Sequence, residues 1–165
     1  MGRVTGPDLL RALLERSPSH GWSHYFYGST PENLGLLAAA LGRDYPRVVG
    51  AEPSVFREIS DEEVGELAER VDASGADFLW VGIGAPRQEA LCARLEGRTR
   101  CLMAGVGGAF NILAGVVPEA PGWMQRAGLE WLYRLVQEPG RLFERYAVTN
   151  TKFVYYAATG KKRIS

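Results

Sequence analysis

Cysteine and histidine are scarce in this 165-residue chain, with only Cys92, Cys101, His20 and His24. Two thiols cannot build a disulfide framework, and their spacing is not that of a metal site. A reducing cytoplasm and a reaction without resident metal or other cofactor are therefore expected. His20 and His24 share a polar stretch and read as surface-loop residues. No apolar run reaches the roughly 20 residues of a membrane span, and no secretory leader is visible. Gly6 stands where myristoylation after Met1-Gly2 would need Ser or Thr. Membrane contact, if made, is peripheral. Internal repeats, low-complexity tracts and interdomain linkers are also missing.

With 46% hydrophobic residues the chain can bury one ordinary core. Net charge is zero but unevenly spread: Trp123 to the end carries +5 and the first 122 residues carry −5. This predicts an acidic α/β core over 1–122 and a basic helical appendage over 123–165, suited to an anionic partner at one end.

Strand and helix signals alternate along the core. Tyr25-Phe26-Tyr27 reads as a strand. Thr30 and Pro31 then cap and start a helix with Leu34, Leu37, Ala38 and Leu41 on one face, ended by Gly42. Val48-Val49 is a short strand, and Ser60 with Glu63 forms a capping box before the stripe Val64, Leu67, Ala68, Val71. Phe78 to Val81 is a third strand, Pro86 to Leu95 a helix, and Cys101 to Ala104 a fourth strand. Short apolar strands separated by helices predict a Rossmann-like, mostly parallel sheet covered on both faces.

Ligands of such sheets bind beyond the carboxyl ends of the strands. Three turns converge there: Gly28-Ser29-Thr30, Gly82-Ile83-Gly84-Ala85-Pro86-Arg87-Gln88-Glu89, and Gly105-Val106-Gly107-Gly108. The second is the most informative. Two close glycines and a proline turn a buried strand into a helix whose first amides attract anions, with Gln88 and Glu89 in reach of a bound diphosphate. Backbone geometry alone also places Gly and Pro in such turns; it is the convergence of three on one edge that points to a phosphate-bearing ligand. Gly-x-Gly-x-x-Gly is absent, which disfavours a dinucleotide oxidoreductase.

Beyond Gly108, the stretch Trp123 to Val136 is aromatic-rich and amphipathic. Pro139-Gly140 breaks it before a second helical stretch from Arg141 to about Tyr156. Arg141 and Arg145 share a face, and arginine beside aromatics suits either a membrane interface or ordinary packing of a helical hairpin.

Four ordered motifs, Gly82 to Glu89, Gly105 to Phe110 with Ala114-Gly115, Ala120 to Met124, and Gly128 to Pro139, together with Arg3-Val4-Thr5-Gly6-Pro7-Asp8, resemble the WecG/TagA/CpsF glycosyltransferase family. The resemblance runs from Arg3 almost to the end. It implies inverting transfer of an N-acetylhexosamine, often N-acetylmannosamine, from a UDP-sugar donor to a polyprenyl-diphosphate-linked acceptor at the inner membrane face, for teichoic acid, common antigen or capsule. Nucleic acid is not an implied partner. Carried over by residue, Arg3 and Gln88 are the implied catalytic residues beside the donor, and Gly107 and Gly108 border the nucleotide pocket. Thr5, Gly6, Asp8, Gly84, Pro86 and Glu89 complete the implied substrate-binding set. Arg134, Arg141 and Arg145 correspond to the basic appendage that covers the site and meets membrane and diphosphate, in keeping with the +5 segment.

The family carries its proposed catalytic Asp in an Ala-Asp-Gly motif ahead of the Arg-Val-Thr-Gly segment, and these 165 residues begin at that segment. The family pattern gives Asp8 no such role. The expectation is therefore a truncated gene product, a wrongly assigned start or one half of a two-chain enzyme, with a homo-oligomer or a separate N-terminal chain among the expected partners and a non-catalytic UDP-sugar or lipid-diphosphate binding subunit, or an inactive fragment, as rivals.

Overall fold

A computed structural model describes residues 4–42, 47–55, 57–137 and 140. Two compact units divide the chain between Pro118 and Glu119.

In the first unit the elements run α1 (Gly6–His20), β1 (His24–Gly28), α2 (Pro31–Leu41), β2 (Val48–Glu52), α3 (Asp61–Ser74), β3 (Phe78–Gly82), α4 (Arg87–Leu95), β4 (Leu102–Gly105) and α5 (Ala109–Leu113). The four strands form a parallel sheet in the order β2-β1-β3-β4, as the alternation of strand and helix signals predicts. The central strands β1 and β3 are buried almost throughout, whereas β2 and β4 are sheet edges and leave Val48 and Leu102 exposed. Coverage on both faces thus holds for the middle of the sheet only.

Strand alternation sends Phe26, Phe78 and Trp80 to one face, against Leu10 and Leu14 of α1, Leu34, Leu37 and Leu41 of α2, and Phe110 of α5. Tyr25, Tyr27, Leu79 and Val81 go to the other face, against Val64, Leu67 and Val71 of α3 and Leu91 and Leu95 of α4. The sequence-predicted caps form: Thr30 Oγ1 accepts from the Asn33 amide at 3.2 Å, and Ser60 and Glu63 cap α3 reciprocally. Ala38, expected on the buried face of α2, is exposed, because Leu34, Leu37 and Leu41 suffice to cover that part of the sheet.

Helix α1 is absent from the sequence-based outline. It begins at a reciprocal cap between Thr5 and Asp8, buries Pro7, Leu10, Leu14 and Ser17, and stops at Gly21 in the left-handed region. Its packing overturns the reading of His24 as a loop residue. β1 starts at His24, whose ring is fully buried between α1 and β3. Trp80 Nε1–H donates to His24 Nδ1 at 2.9 Å, which places the ring proton on Nε2, where it donates to Ser17 Oγ at 2.7 Å. The Ser17 hydroxyl in turn donates to the Leu13 carbonyl at 2.6 Å. Every polar atom of the relay is satisfied with the imidazole neutral. His20, by contrast, lies exposed in the last turn of α1.

Burial holds the His24 pKa down at about 4, against 6.5 for a free imidazole, with Asp77 opposing the shift weakly. A depressed folded-state pKa means that stabilisation present above pH 6.5 is lost as pH falls toward 4, because the unfolded ring takes up a proton that the folded one refuses. Denaturant titrations at steps across that window are expected to show declining stability. In His24→Gln the slope between pH 6.5 and 4 should flatten, although absolute stability falls.

The second unit contains α6 (Gly122–Arg126) and α7 (Glu130–Gln137). The single amphipathic stretch expected over 123–136 is broken here by Gly128, at φ +72. Trp123, Trp131, Leu132 and Val136 are exposed. The expected helix from Arg141 to about Tyr156 lies outside the described residues. Among the described residues no helix is long and apolar enough to cross a membrane.

Candidate functional site

Parallel strands deliver their following turns to one edge, so the three glycine-bearing turns do meet. β1 and β3 end on a paired Gly28 and Gly82. A Cβ on Gly28 would lie 2.7 Å from Gly82 main-chain atoms, and Gly28 sits at φ +137. A Cβ on Gly82 would lie 2.6 Å from the Phe110 ring. These two glycines are therefore packing requirements. Ser29 follows at φ +62, a left-handed conformation uncommon for a residue with a side chain. Its hydroxyl donates to Asn111 Oδ1 at 3.0 Å, and Asn33 Nδ2 donates to the same oxygen at 3.1 Å. The turn after β1 is thereby tied to α2 and α5.

Gln88 joins the other two turns. It is only 7% exposed, and its Oε1 accepts from the Gly107 amide at 2.9 Å while Nε2 donates to Glu89 at 3.0 Å. The contact needs a bare backbone opposite: a Cβ on Gly105 would fall 3.0 Å from Gln88 Cγ. Pro86, expected as the first helical residue, is instead the cap of α4, after a cis Ala85–Pro86 bond, because the turn extends one residue further before helical geometry begins at Arg87. The Gln88 amide bonds to the Gly84 carbonyl at 3.1 Å. Two amides that the glycine-rich pattern offers to an anion, those of Gln88 and Gly107, are thus satisfied within the protein.

Thr5, Gly6 and Asp8 stand beside the β4 turn, since a Cβ on Gly6 would lie 2.8 Å from the Val106 carbonyl oxygen. Thr5 N–H and Oγ1–H donate to Asp8 Oδ2 at 3.1 and 2.6 Å, so this carboxylate holds the start of α1. Of the residues nominated from sequence, the structure assembles Thr5, Gly6, Asp8, Gly84, Pro86, Gln88, Glu89, Gly107 and Gly108 around one stretch of the sheet edge. Arg3, Arg141 and Arg145 lie outside the described residues, as does the side chain of Arg134. No group of three or more His, Cys, Asp or Glu able to hold a metal occurs among the described residues.

A cleft of ≈ 420 Å³ opens on the α3–α4 side of the same edge, lined among others by Tyr27, Ser54, Glu58, Ile83, Arg87 and Leu91. Three arginines shape it. Arg57 is paired bidentately with Glu63 at 2.6 and 2.9 Å and holds that carboxyl down at about 2. Arg94 bonds the Ile59 carbonyl and Asp61, both at 2.8 Å. Arg87, in the first turn of α4, donates one nitrogen to the carbonyls of Val55 and Arg57 at 3.2 and 2.7 Å, and has no carboxylate partner among the described residues. Sequence reasoning passed over Tyr27, Ser54 and Asn111. The lone polar residue in Ala109–Leu113 was the available signal for Asn111.

A parallel sheet covered on both faces at its centre, with strand order reversing between β1 and β3, defines an α/β fold of the kind whose ligands bind beyond the carboxyl ends of the strands. The model of the Glycosyl transferase WecG/TagA/CpsF family matches residues 1–165, and the chain belongs to that family. It is a glycosyltransferase, with a sugar donor and an acceptor as its substrates.

Proposed function

We propose that the chain transfers an N-acetylhexosamine, N-acetylmannosamine in the first instance, from a UDP-sugar to a polyprenyl-diphosphate-linked sugar, with inversion at the anomeric carbon, in cell-surface polysaccharide or teichoic acid synthesis. The observation that carries this reading is the Gln88–Gly107 bond, which fixes the turns after β3 and β4 as one rigid rim at the sheet edge. A preorganised rim fixes where the donor's diphosphate can sit. Arg3, Arg134, Arg141 and Arg145 are proposed to bring positive charge to that diphosphate. The exposed Trp123 and Trp131 support peripheral contact with the inner membrane face.

The same geometry supports a second reading, a binding subunit without turnover. Asp8 caps α1 and Glu89 accepts from Gln88, so both carboxylates of this rim serve as structural acceptors, which favours binding without turnover. Turnover of UDP-N-acetylmannosamine with a lipid-linked acceptor, read as UDP release by the chain alone and with a supplied family N-terminal segment, separates the two. Release in either arm is expected. Nucleotide binding by calorimetry with no release in both arms would establish the binding subunit.

A further inference from the structure

Arg87, Gln88 and Glu89 open α4, and each is turned to a different neighbour. Arg87 holds the connection from β2 by its carbonyls, Gln88 crosses to the turn after β4, and Glu89 reaches only as far as Gln88. The family resemblance implies that Glu89 touches substrate. Its hydrogen bond assigns it a task one step removed.

The two ends of a glutamine amide have nearly the same shape and opposite chemistry: the oxygen only accepts and the nitrogen only donates. Gln88 lies between two partners that tell these ends apart. The Gly107 amide can only donate, and it meets Oε1 at 2.9 Å. A carboxylate can only accept, and Glu89 Oε1 takes an N–H of Nε2 at 3.0 Å. Turned over, the amide would set N–H against N–H at one contact and oxygen against oxygen at the other. Gln88 is buried, and its Cγ, Cδ and Nε2 lie 3.0–3.1 Å from the point that a Cβ on Gly105 would occupy, so the side chain rests along bare backbone. A lost partner there is poorly replaced by water. Glu89 itself is exposed, and Gln88 is its one hydrogen-bond partner among the described residues. Nε2 carries two N–H groups, and the bond to Glu89 leaves the second for a ligand oxygen.

We propose that Glu89 is a positioning residue: its carboxylate fixes the direction of the Gln88 amide, and through that amide the seat of the turn after β4, so that Gln88 keeps one N–H for the donor's oxygens. This rests on the donor reading above and deepens it. Glu89 then acts through Gln88 and makes no contact with the substrate of its own.

The test uses the full chain with Glu89→Ala, which removes the acceptor, and Glu89→Gln, which removes the charge but keeps an acceptor oxygen. Amide NMR of the ligand-free protein follows the Gly107 N–H and the Gln88 side-chain NH2. UDP release from UDP-N-acetylmannosamine with a lipid-linked acceptor, or UDP affinity by calorimetry where no release occurs, follows the site. In Glu89→Ala the Gly107 amide should exchange with solvent about tenfold faster, and release or affinity should fall about tenfold. Glu89→Gln should recover both to within about threefold. An unmoved Gly107 amide in Glu89→Ala overturns the proposal and leaves the donor reading standing, because Gly107 alone would then hold Gln88. Loss of release or affinity in Glu89→Gln as deep as in Glu89→Ala overturns it too, since the carboxylate's charge would then act on the ligand directly. A loosened Gly107 amide with unchanged release and affinity removes Glu89 from the reaction and also overturns it. Failure of the unaltered chain either to release or to bind UDP overturns the donor reading and the proposal together.

Discussion

Gln88→Leu is expected to lower kcat/KM by about a hundred- to a thousandfold while leaving the fold intact. Leucine fills nearly the same volume against Gly105 but offers the Gly107 amide nothing, so the turn after β4 loses its attachment to α4. A displacement of about 1 Å in a turn that positions the donor is enough for a hundredfold loss. The folding penalty is smaller, about 1–3 kcal/mol for one unpaired buried donor. Steady-state kinetics beside a denaturation curve checks both. A variant with wild-type kcat/KM would show that the Gln88–Gly107 bond is not part of the reacting geometry.

Gly28→Ala is expected to be strongly destabilising. The new Cβ would need the space 2.7 Å from the Gly82 backbone, which cannot retreat because its other side meets the Phe110 ring. Overpacking against main chain and an unfavourable φ of +137 together cost about 4 kcal/mol. That is enough to unfold much of a marginally stable domain. Gly21→Ala provides the comparison: φ is +70 there and nothing lies within 4 Å, so only the backbone strain remains, about 1 kcal/mol. Melting temperatures of the two variants separate steric collision from conformational preference. Equal losses would show that the close approach of β1 to β3 is not what fixes glycine at position 28.

The parallel sheet and most of its helices were legible because their signals are local. Thr30-Pro31, Ser60 with Glu63 and the stripe Val64–Val71 each declare a helix within a few residues, and Phe78 to Val81 declares a strand by composition. What escaped depends on distant partners. His24 looks polar until α1 and Trp80 close around it, 56 residues away in the second case, and α1 itself was hidden behind a motif read for its family likeness. At the site, glycine spacing located the turns, but it could not reveal that Gly28 and Gly82 face each other. Nor could it show that the Gln88 side chain consumes an amide that the pattern had offered to phosphate. Tyr27 and Ser54 escaped for a related reason: a strand-end tyrosine and a loop serine are ordinary residues until the fold sets them on one cleft wall.

The grip of α4 on the connection from β2 to α3 bears on how selectivity is stored. Arg87 and Arg94 hold that connection by its carbonyls at Val55, Arg57 and Ile59. Its position is therefore independent of most of the side chains it displays. Positions 55 and 58 can therefore change without loosening the scaffold, which makes this short piece of chain a replaceable face mounted on a permanent frame.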